Sequence, residues 1–221
     1  RTIKDVDLGL SYFYGFDPMP YFSSFPVKNI EVEGTISGQS VEQELASAVF
    51  TNEDIEIEYL RSHTFGTEFE TTLGSFGLRG EAVYSDSRTF MTNSLASTKS
   101  PTFFTVLGVD YLGENEWYAN FQLSDQVLLD FQEEILFFER HNVALNGELS
   151  KDLFRGKGEL GLKGIYYLSD QSSYLNPYFL WELIPNLETE IGLNSFAGDE
   201  DSLLGFYRDN DEAYIKLSYT F

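Results

Sequence analysis

Hydrophobic and polar residues alternate along this chain. At its C-terminus Ala213, Ile215, Leu217, Tyr219 and Phe221 take every second position, and the residues between them are mostly polar. Successive side chains of a β-strand project to opposite faces, so such a segment has one apolar and one wet face. The pattern recurs upstream. Val6, Leu8, Leu10, Tyr12 and Tyr14 alternate with Asp5, Asp7, Gly9, Ser11 and Phe13, and Trp117, Ala119, Phe121 and Leu123 alternate with Tyr118, Asn120, Gln122 and Ser124. Val143 to Leu149 and Leu160 to Leu168 repeat it. No period of 3.6 residues competes over these windows.

About ten such runs fall at roughly 4–15, 54–71, 75–86, 102–112, 116–127, 137–150, 158–169, 173–184, 187–196 and 212–221. The spacers between them carry as much information as the runs. Residues 16–53, 87–101 and 197–211 make long spacers, 128–136 and 151–157 medium ones, and 72–74, 113–115, 170–172 and 185–186 short ones. Apart from 170–172, the longer spacers fall at one end of the predicted sheet and the tighter ones at the other. Outer-membrane barrels have this asymmetry, with short periplasmic turns and longer outer loops. The expected fold is therefore all-β: a transmembrane antiparallel up-and-down β-barrel with about ten strands in this chain. Residues 1–221 then form a single domain, 16–53 is a long outer loop, and an even strand count puts both termini in the periplasm.

Alternation does not say which face is outward, because a soluble barrel is greasy inside and a membrane barrel greasy outside. The aromatic positions favour the second. Phe69, Phe76, Tyr111, Trp117, Trp181, Tyr219 and Phe221 cluster on the apolar frame toward the short-turn end, and Tyr12, Tyr14, Tyr84, Phe103 and Tyr166 toward the long-loop end. Rings with an apolar body and a polar edge settle at the headgroup level, so these positions are read as membrane-interface aromatics. Run length agrees, since a tilted strand crosses the hydrocarbon in about 9–11 residues.

Composition narrows the choice. The 221 residues include 20 phenylalanines, 14 tyrosines and 2 tryptophans, yet only 42% are hydrophobic, as expected of amphipathic strands. No window reaches the roughly eighteen apolar residues of a spanning helix. Fourteen lysines and arginines against 36 aspartates and glutamates give a formal charge of −22, which excludes nucleic acid as a natural partner. There is no cysteine, so disulfides, thiolate metal sites and cysteine nucleophiles are ruled out.

The wet frame carries the candidate chemistry. Glu68, Glu70, Arg79, Glu81, Asp110, Arg140, Glu148, Lys163, Glu188, Glu190 and Lys216 are expected to point inward and line a pore. Acidic residues prevail there, so a hydrated interior would favour cations. The plainer reading of any one of them is a solvated rim residue or a cross-strand pair, such as Arg79 beside Glu81 or Lys163 near Glu148 or Glu159. Loop 16–53, with Pro18, Pro20, Tyr21 and Phe22 and a stretch from Val27 to Glu33, could add a hairpin, fold inward as a constriction or act as a lid, and its plainer reading is a solvated loop. Asp199, Glu200, Asp201, Asp209 and Asp211 could offer hard oxygen ligands, but their spacing matches no calcium loop, and no metal or other cofactor is expected.

Two features break the pattern. Arg61 and His63 fall on the apolar frame of the second run, which implies an extension beyond the membrane or a bulge. Pro177 lies inside the eighth run, which implies a bulge or strand end. His63 and His141, the only imidazoles, both fall on the apolar frame, and there is no Gly-x-Ser-x-Gly elbow. No catalytic residue is assigned, and an enzyme is not expected.

The terminal Phe221, preceded by Tyr219, Leu217 and Ile215 at every second position, resembles the assembly signal of Gram-negative outer-membrane barrels. The stretch Leu204 to Phe221, with Asp7 to Asp17 and Gly77 to Ala82, resembles the C-terminal part of a group of poorly characterised porin-like proteins. That resemblance implies an outer-membrane location, recognition of the last strand by the barrel-assembly machinery, and a transport-like role. Members of the group are longer, which makes this chain either the C-terminal portion of a larger barrel or a processed mature protein. The expected partners are the bilayer with its outer-membrane lipids and small solutes, with room for an oligomer or larger complex. The expected function is a passive, cation-preferring, porin-like conduit for small solutes. The alternatives are a narrow non-conducting barrel acting as a structural or adhesive platform through its acidic loops and, less favoured, a membrane-embedded hydrolase.

Overall fold

The computed structural model describes residues 2–3, 5–24, 27–28, 46, 48–51 and 54–221. Ten long strands follow one another: β1 (Val6–Phe16), β2 (Arg61–Leu73), β3 (Phe76–Met91), β4 (Ser97–Leu112), β5 (Trp117–Leu128), β6 (His141–Leu153), β7 (Gly158–Tyr167), β8 (Ser173–Ile184), β9 (Leu187–Ala197) and β10 (Glu212–Tyr219). Each is hydrogen-bonded antiparallel to the next, so spatial order repeats sequence order. The stub Thr2–Ile3 folds back onto Asp7 and Val6 at the start of β1. Among the described residues no ladder joins this edge to β10, and the up-and-down sheet is open.

Strands arise where alternation predicts them, with two differences. β3 and β4 are each 16 residues long, so the expected spacer 87–101 shrinks to 92–96. A register shift between Ser85 and Arg88 resets the pairing, after which the ladder continues from Arg88–Ser100 to Met91–Ser97. Alternation marks strands whose faces meet different surroundings, and this polar hairpin tip gives no such signal. The run expected at 54–71 divides, because β2 begins at Arg61 while Glu56–Glu58 pairs with Tyr21–Ser24. Val27–Lys28 pairs antiparallel with Val49–Phe50. Most of the expected lid at 16–53 lies outside the described residues. Pro177 sits within β8 opposite Leu162, and the ladder to β9 resumes at Tyr178–Gly192 in the frame of Leu175–Ser195. The register shift comes later, between Glu182 and Ile184, so the proline is not the site of the bulge.

The register keeps the two faces separate across the whole sheet. One row of opposed residues runs Tyr12, Phe65, Tyr84, Phe103, Val127, and the row on the neighbouring wet positions runs Phe13, Thr64, Ser85, Thr102, Leu128. A slip of one residue in any ladder would mix them. Burial is inverted relative to a soluble sheet. Leu10 is 89% exposed, Phe121 60% and Ile215 71%, whereas Ser85 is 2% exposed, Asn176 6% and Ser150 6%.

The ladders are also staggered. Phe76 is the first residue of β3, yet its successive opposite partners, Tyr111, Ala119, Leu149, Leu162 and Pro177, move toward the long-loop end of β8. Strands paired with such a drift run oblique to the sheet's long axis, as they do in barrel walls.

The ends differ as the spacers predict. Connections 74–75, 113–116, 154–157 and 185–186 lie at one end, and 17–60, 92–96, 129–140, 168–172 and 198–211 at the other. At the long-loop end Phe90, Leu128 and Ile135 are buried together with Phe131 and Phe138 packed on them. Segment 129–140 is tied to the β3–β4 tip by Leu136 N–H donating to Met91 O and by Asn93 N–H donating to Glu134 O. This small cluster buries its apolar side chains away from water.

Candidate functional site

On the polar face titratable and hydrogen-bonding side chains from many successive strands converge, and glycines decide how some of them pack. A Cβ on Gly161 of β7 would collide with the Tyr178 ring from β8, and one on Gly192 of β9 would collide with Tyr214 from β10. Each tyrosine therefore lies across the neighbouring strand, and its hydroxyl reaches farther strands. Tyr178 Oη lies 3.0 Å from Glu148 on β6 and 2.5 Å from Glu159 on β7, donating to the carboxylates. Tyr214 Oη donates to Glu190 at 2.6 Å and accepts from Asn176 Nδ2 on β8 at 3.1 Å.

Three linked clusters result. On β3 to β5, Asp110 accepts from Arg79, from Asn120 Nδ2 and from the Tyr118 hydroxyl, and Gln122 donates to Asn120. On β6 to β8, Lys163 Nζ lies 3.6 Å from Glu148 and 4.6 Å from the Tyr178 ring centre. On β8 to β10, Asn176 and Tyr174 both donate to Asn194, which donates to Glu212, while Lys216 lies 4.0 Å from Glu190. Asn120 stands directly opposite Glu148, and Asn176 lies two residues from Tyr178, so the clusters form one band across the wet face.

Toward β1 the balance of charge changes. Glu68 faces Glu81 across the β2–β3 ladder, Glu70 faces Arg79, and Asp7 faces Glu70. Asp7, Glu68, Glu70, Arg79 and Glu81 line a depression of about 220 Å³ beside Gly9. Four carboxylates share it with one guanidinium, and that guanidinium is bonded to Asp110. Excess negative charge in a partly enclosed polar space attracts cations.

Of the expected inward residues, Glu68, Glu70, Arg79, Glu81, Asp110, Glu148, Lys163, Glu188, Glu190 and Lys216 occupy the wet frame of their strands. Arg140 does not. It precedes β6, and its guanidinium lies 5.8 Å from the Phe131 ring centre at the long-loop end. The run 137–150 overestimated the strand's start, because Asn142 accepts from Glu139 N–H and donates to Glu139 O, closing a turn there. Arg79 pairs with Asp110 rather than with its chain neighbour Glu81, since side chains two apart on a strand stand side by side while the opposite strand supplies the closer partner. The sequence reading missed Tyr118, Tyr178, Tyr214, Asn120 and Asn176. For Tyr178 and Tyr214 the signal is a tyrosine on the wet frame opposite a glycine, and it exists only once register is known.

The aromatics expected at a membrane interface lie on the opposite face of the sheet. Phe76 and Tyr111 are 4.9 Å apart, and Lys151 Nζ lies 5.0 Å from the Trp117 ring centre near the short-turn end. Tyr12 donates to or accepts from His63 Nδ1 at 2.8 Å, His63 stacks on Tyr14 at 4.5 Å, and Arg61 covers Phe16 at 4.6 Å. Aromatic neighbours thus accommodate the two residues that broke the alternation. Trp181 lies 6.4 Å from Phe154, and Tyr84 stands opposite Phe103. Tyr219 and Phe221 are exposed at the short-turn end.

The long loops converge. Phe137 of 129–140 meets Phe206 of 198–211 edge-on at 5.8 Å, and the Asp170 carboxylate accepts from Leu203 N–H and from Ser172. Two of the loop carboxylates have such roles: Glu200 pairs with Arg208, and Asp211 accepts from Phe196 N–H and Ser195 Oγ. Among the described residues no group of three His, Asp or Glu is placed to hold a metal. No family model, curated protein or solved structure matches the chain.

Proposed function

We propose that this chain forms the wall of a Gram-negative outer-membrane β-barrel that conducts small solutes passively and prefers cations. The observation that carries the reading is the inverted sheet, in which leucines and aromatics are exposed on one face and serines, threonines and asparagines are covered on the other. Burying a large apolar side chain is worth about 1.5–3 kcal/mol. For Leu8, Leu10, Phe121, Leu123, Leu160, Ile191, Ile215 and Leu217 together that is on the order of 10–25 kcal/mol, as much as the whole stability of an ordinary domain. The face therefore needs a cover, and rings at both of its ends favour lipid over protein.

A membrane location demands that the open edges at β1 and β10 be paired, since hydrocarbon offers no partner to a free N–H or C=O. The barrel is closed in the membrane, with short turns and both termini in the periplasm. Its acid-rich inner face sets the selectivity, and the last strand engages the assembly machinery.

One observation favours a second reading. Convergence of Phe137, Phe206, Asp170 and Leu203 over one end would narrow the mouth, as a platform without conductance requires. Planar-bilayer recording of the purified protein separates the two: stable cation-preferring steps are expected, and an inserted but silent protein would replace the conduit with the platform.

A further inference from the structure

Water does not reach the polar face evenly. Gly108, Asn120 and Ser150 on β4 to β6 are buried, and so are Asn176, Tyr178 and Gly192 on β8 and β9. On β1 to β3 Asp7, Ser11, Glu68, Glu70, Arg79 and Glu81 are exposed. Nearness to an edge does not account for the difference, because β8 lies as many strands from the β10 edge as β3 does from the β1 edge. Three opposed rows cross the open lane in order from the short-turn end: Asp7–Glu70–Arg79, Gly9–Glu68–Glu81 and Ser11–Gly66–Val83. The first two rows line the depression of about 220 Å³, and the last two line a second hollow of about 70 Å³. The row of Glu68 and Glu81 is therefore a ridge shared by two successive hollows.

Glycine sets the shape of that ridge. A Cβ on Gly9 would collide with the Glu68 side chain from Cγ to Oε1, so Glu68 lies across β1 as Tyr178 lies across β7. Elsewhere on the wet face fixed cations neutralise the acids: Arg79 pairs with Asp110, Lys163 with Glu148 and Lys216 with Glu190. Among the described residues Glu68 and Glu81 have no such partner, although they stand directly opposite each other. Like charges so placed repel, and a mobile cation passing between the hollows relieves the repulsion. We infer that permeating cations follow β1 to β3 and that Glu68 and Glu81 select them, with Gly9 as the positioning residue that lets Glu68 lie over the path.

The inference rests on the conduit reading and can fail separately from it. Reversal potentials of the protein are measured in planar bilayers across a potassium chloride gradient. Glu68→Gln and Glu81→Gln keep the side-chain shape and remove one charge each. Each should lower the cation-to-anion permeability ratio about threefold, and Glu70→Gln, one row away, should change it less. Gly9→Ala removes no charge, yet it should lower the ratio by lifting Glu68 off β1. Combined with Glu68→Gln it should add nothing further, because the carboxylate it displaces is gone. Unchanged ratios in both glutamine variants of a conducting protein would overturn the assignment and leave the conduit standing. Additive effects of Gly9→Ala and Glu68→Gln would remove the positioning role. An inserted wild-type protein without conductance would overturn the conduit and this inference together.

Discussion

At the scale of single residues, glycine placement shapes the packing of the wet face. Gly161 and Gly192 lack the atom that would push Tyr178 and Tyr214 away from the neighbouring strand, so each ring packs flat and its hydroxyl meets a carboxylate. Gly161→Ala must tilt Tyr178 and break its bonds to Glu148 and Glu159. Overpacking costs about 1–3 kcal/mol, and a loss in that range is expected in urea titrations of the folded, detergent-solubilised protein. Tyr178→Phe in the same background should recover little, because the clash is with the ring. Asp17 shows the same economy in the loops. Only 3% exposed, it accepts from Met19 N–H and Thr89 N–H and lies 3.5 Å from Arg88, fixing the start of the long loop to β3.

At the scale of elements, β2 and β3 bring three wet-face carboxylates together. Glu68, Glu70 and Glu81 face the same depression, and Arg79, their nearest cation, is shared with Asp110. Replacing Glu68 and Glu70 together with lysine changes the local charge by four units. The cation preference measured from reversal potentials in a salt gradient should collapse or invert, and the effect should shrink at high ionic strength as the Debye length falls to about 3 Å. Selectivity indifferent to the double substitution would take β2 out of the conduction path. The 16-residue strands β3 and β4 add a second feature, because their tips leave the sheet body and support the buried cluster of Phe90, Leu128 and Ile135.

At the scale of the molecule, the open sheet and the exposed oil pose one problem with one solution. A sheet edge in hydrocarbon leaves several kcal/mol unsatisfied at each backbone group. β1 and β10 should therefore exchange backbone hydrogen as slowly as β5 and β6 when the protein is measured by mass spectrometry in lipid. Fast exchange confined to β1 and β10 would mean that the wall stays open and that closure is wrong.

Alternation along Val6 to Tyr14, Trp117 to Ser124 and Ala213 to Phe221 fixes strand, face and approximate limits from local sequence, because period two follows from backbone geometry alone. Spacer lengths likewise reveal which end carries the loops. The polar tip at 85–100 and the start of β6 were not legible, since hydrogen-bonded pairing there proceeds without a change of surroundings from one side chain to the next. Nor could the sequence show that Arg79 would choose Asp110, that Tyr178 would span Gly161 to reach Glu148, or that Asp125 would meet His141. Those depend on register between strands, and register is set by the cooperative fit of whole ladders. Local sequence determined which residues point each way, and only the tertiary structure decided which of them meet.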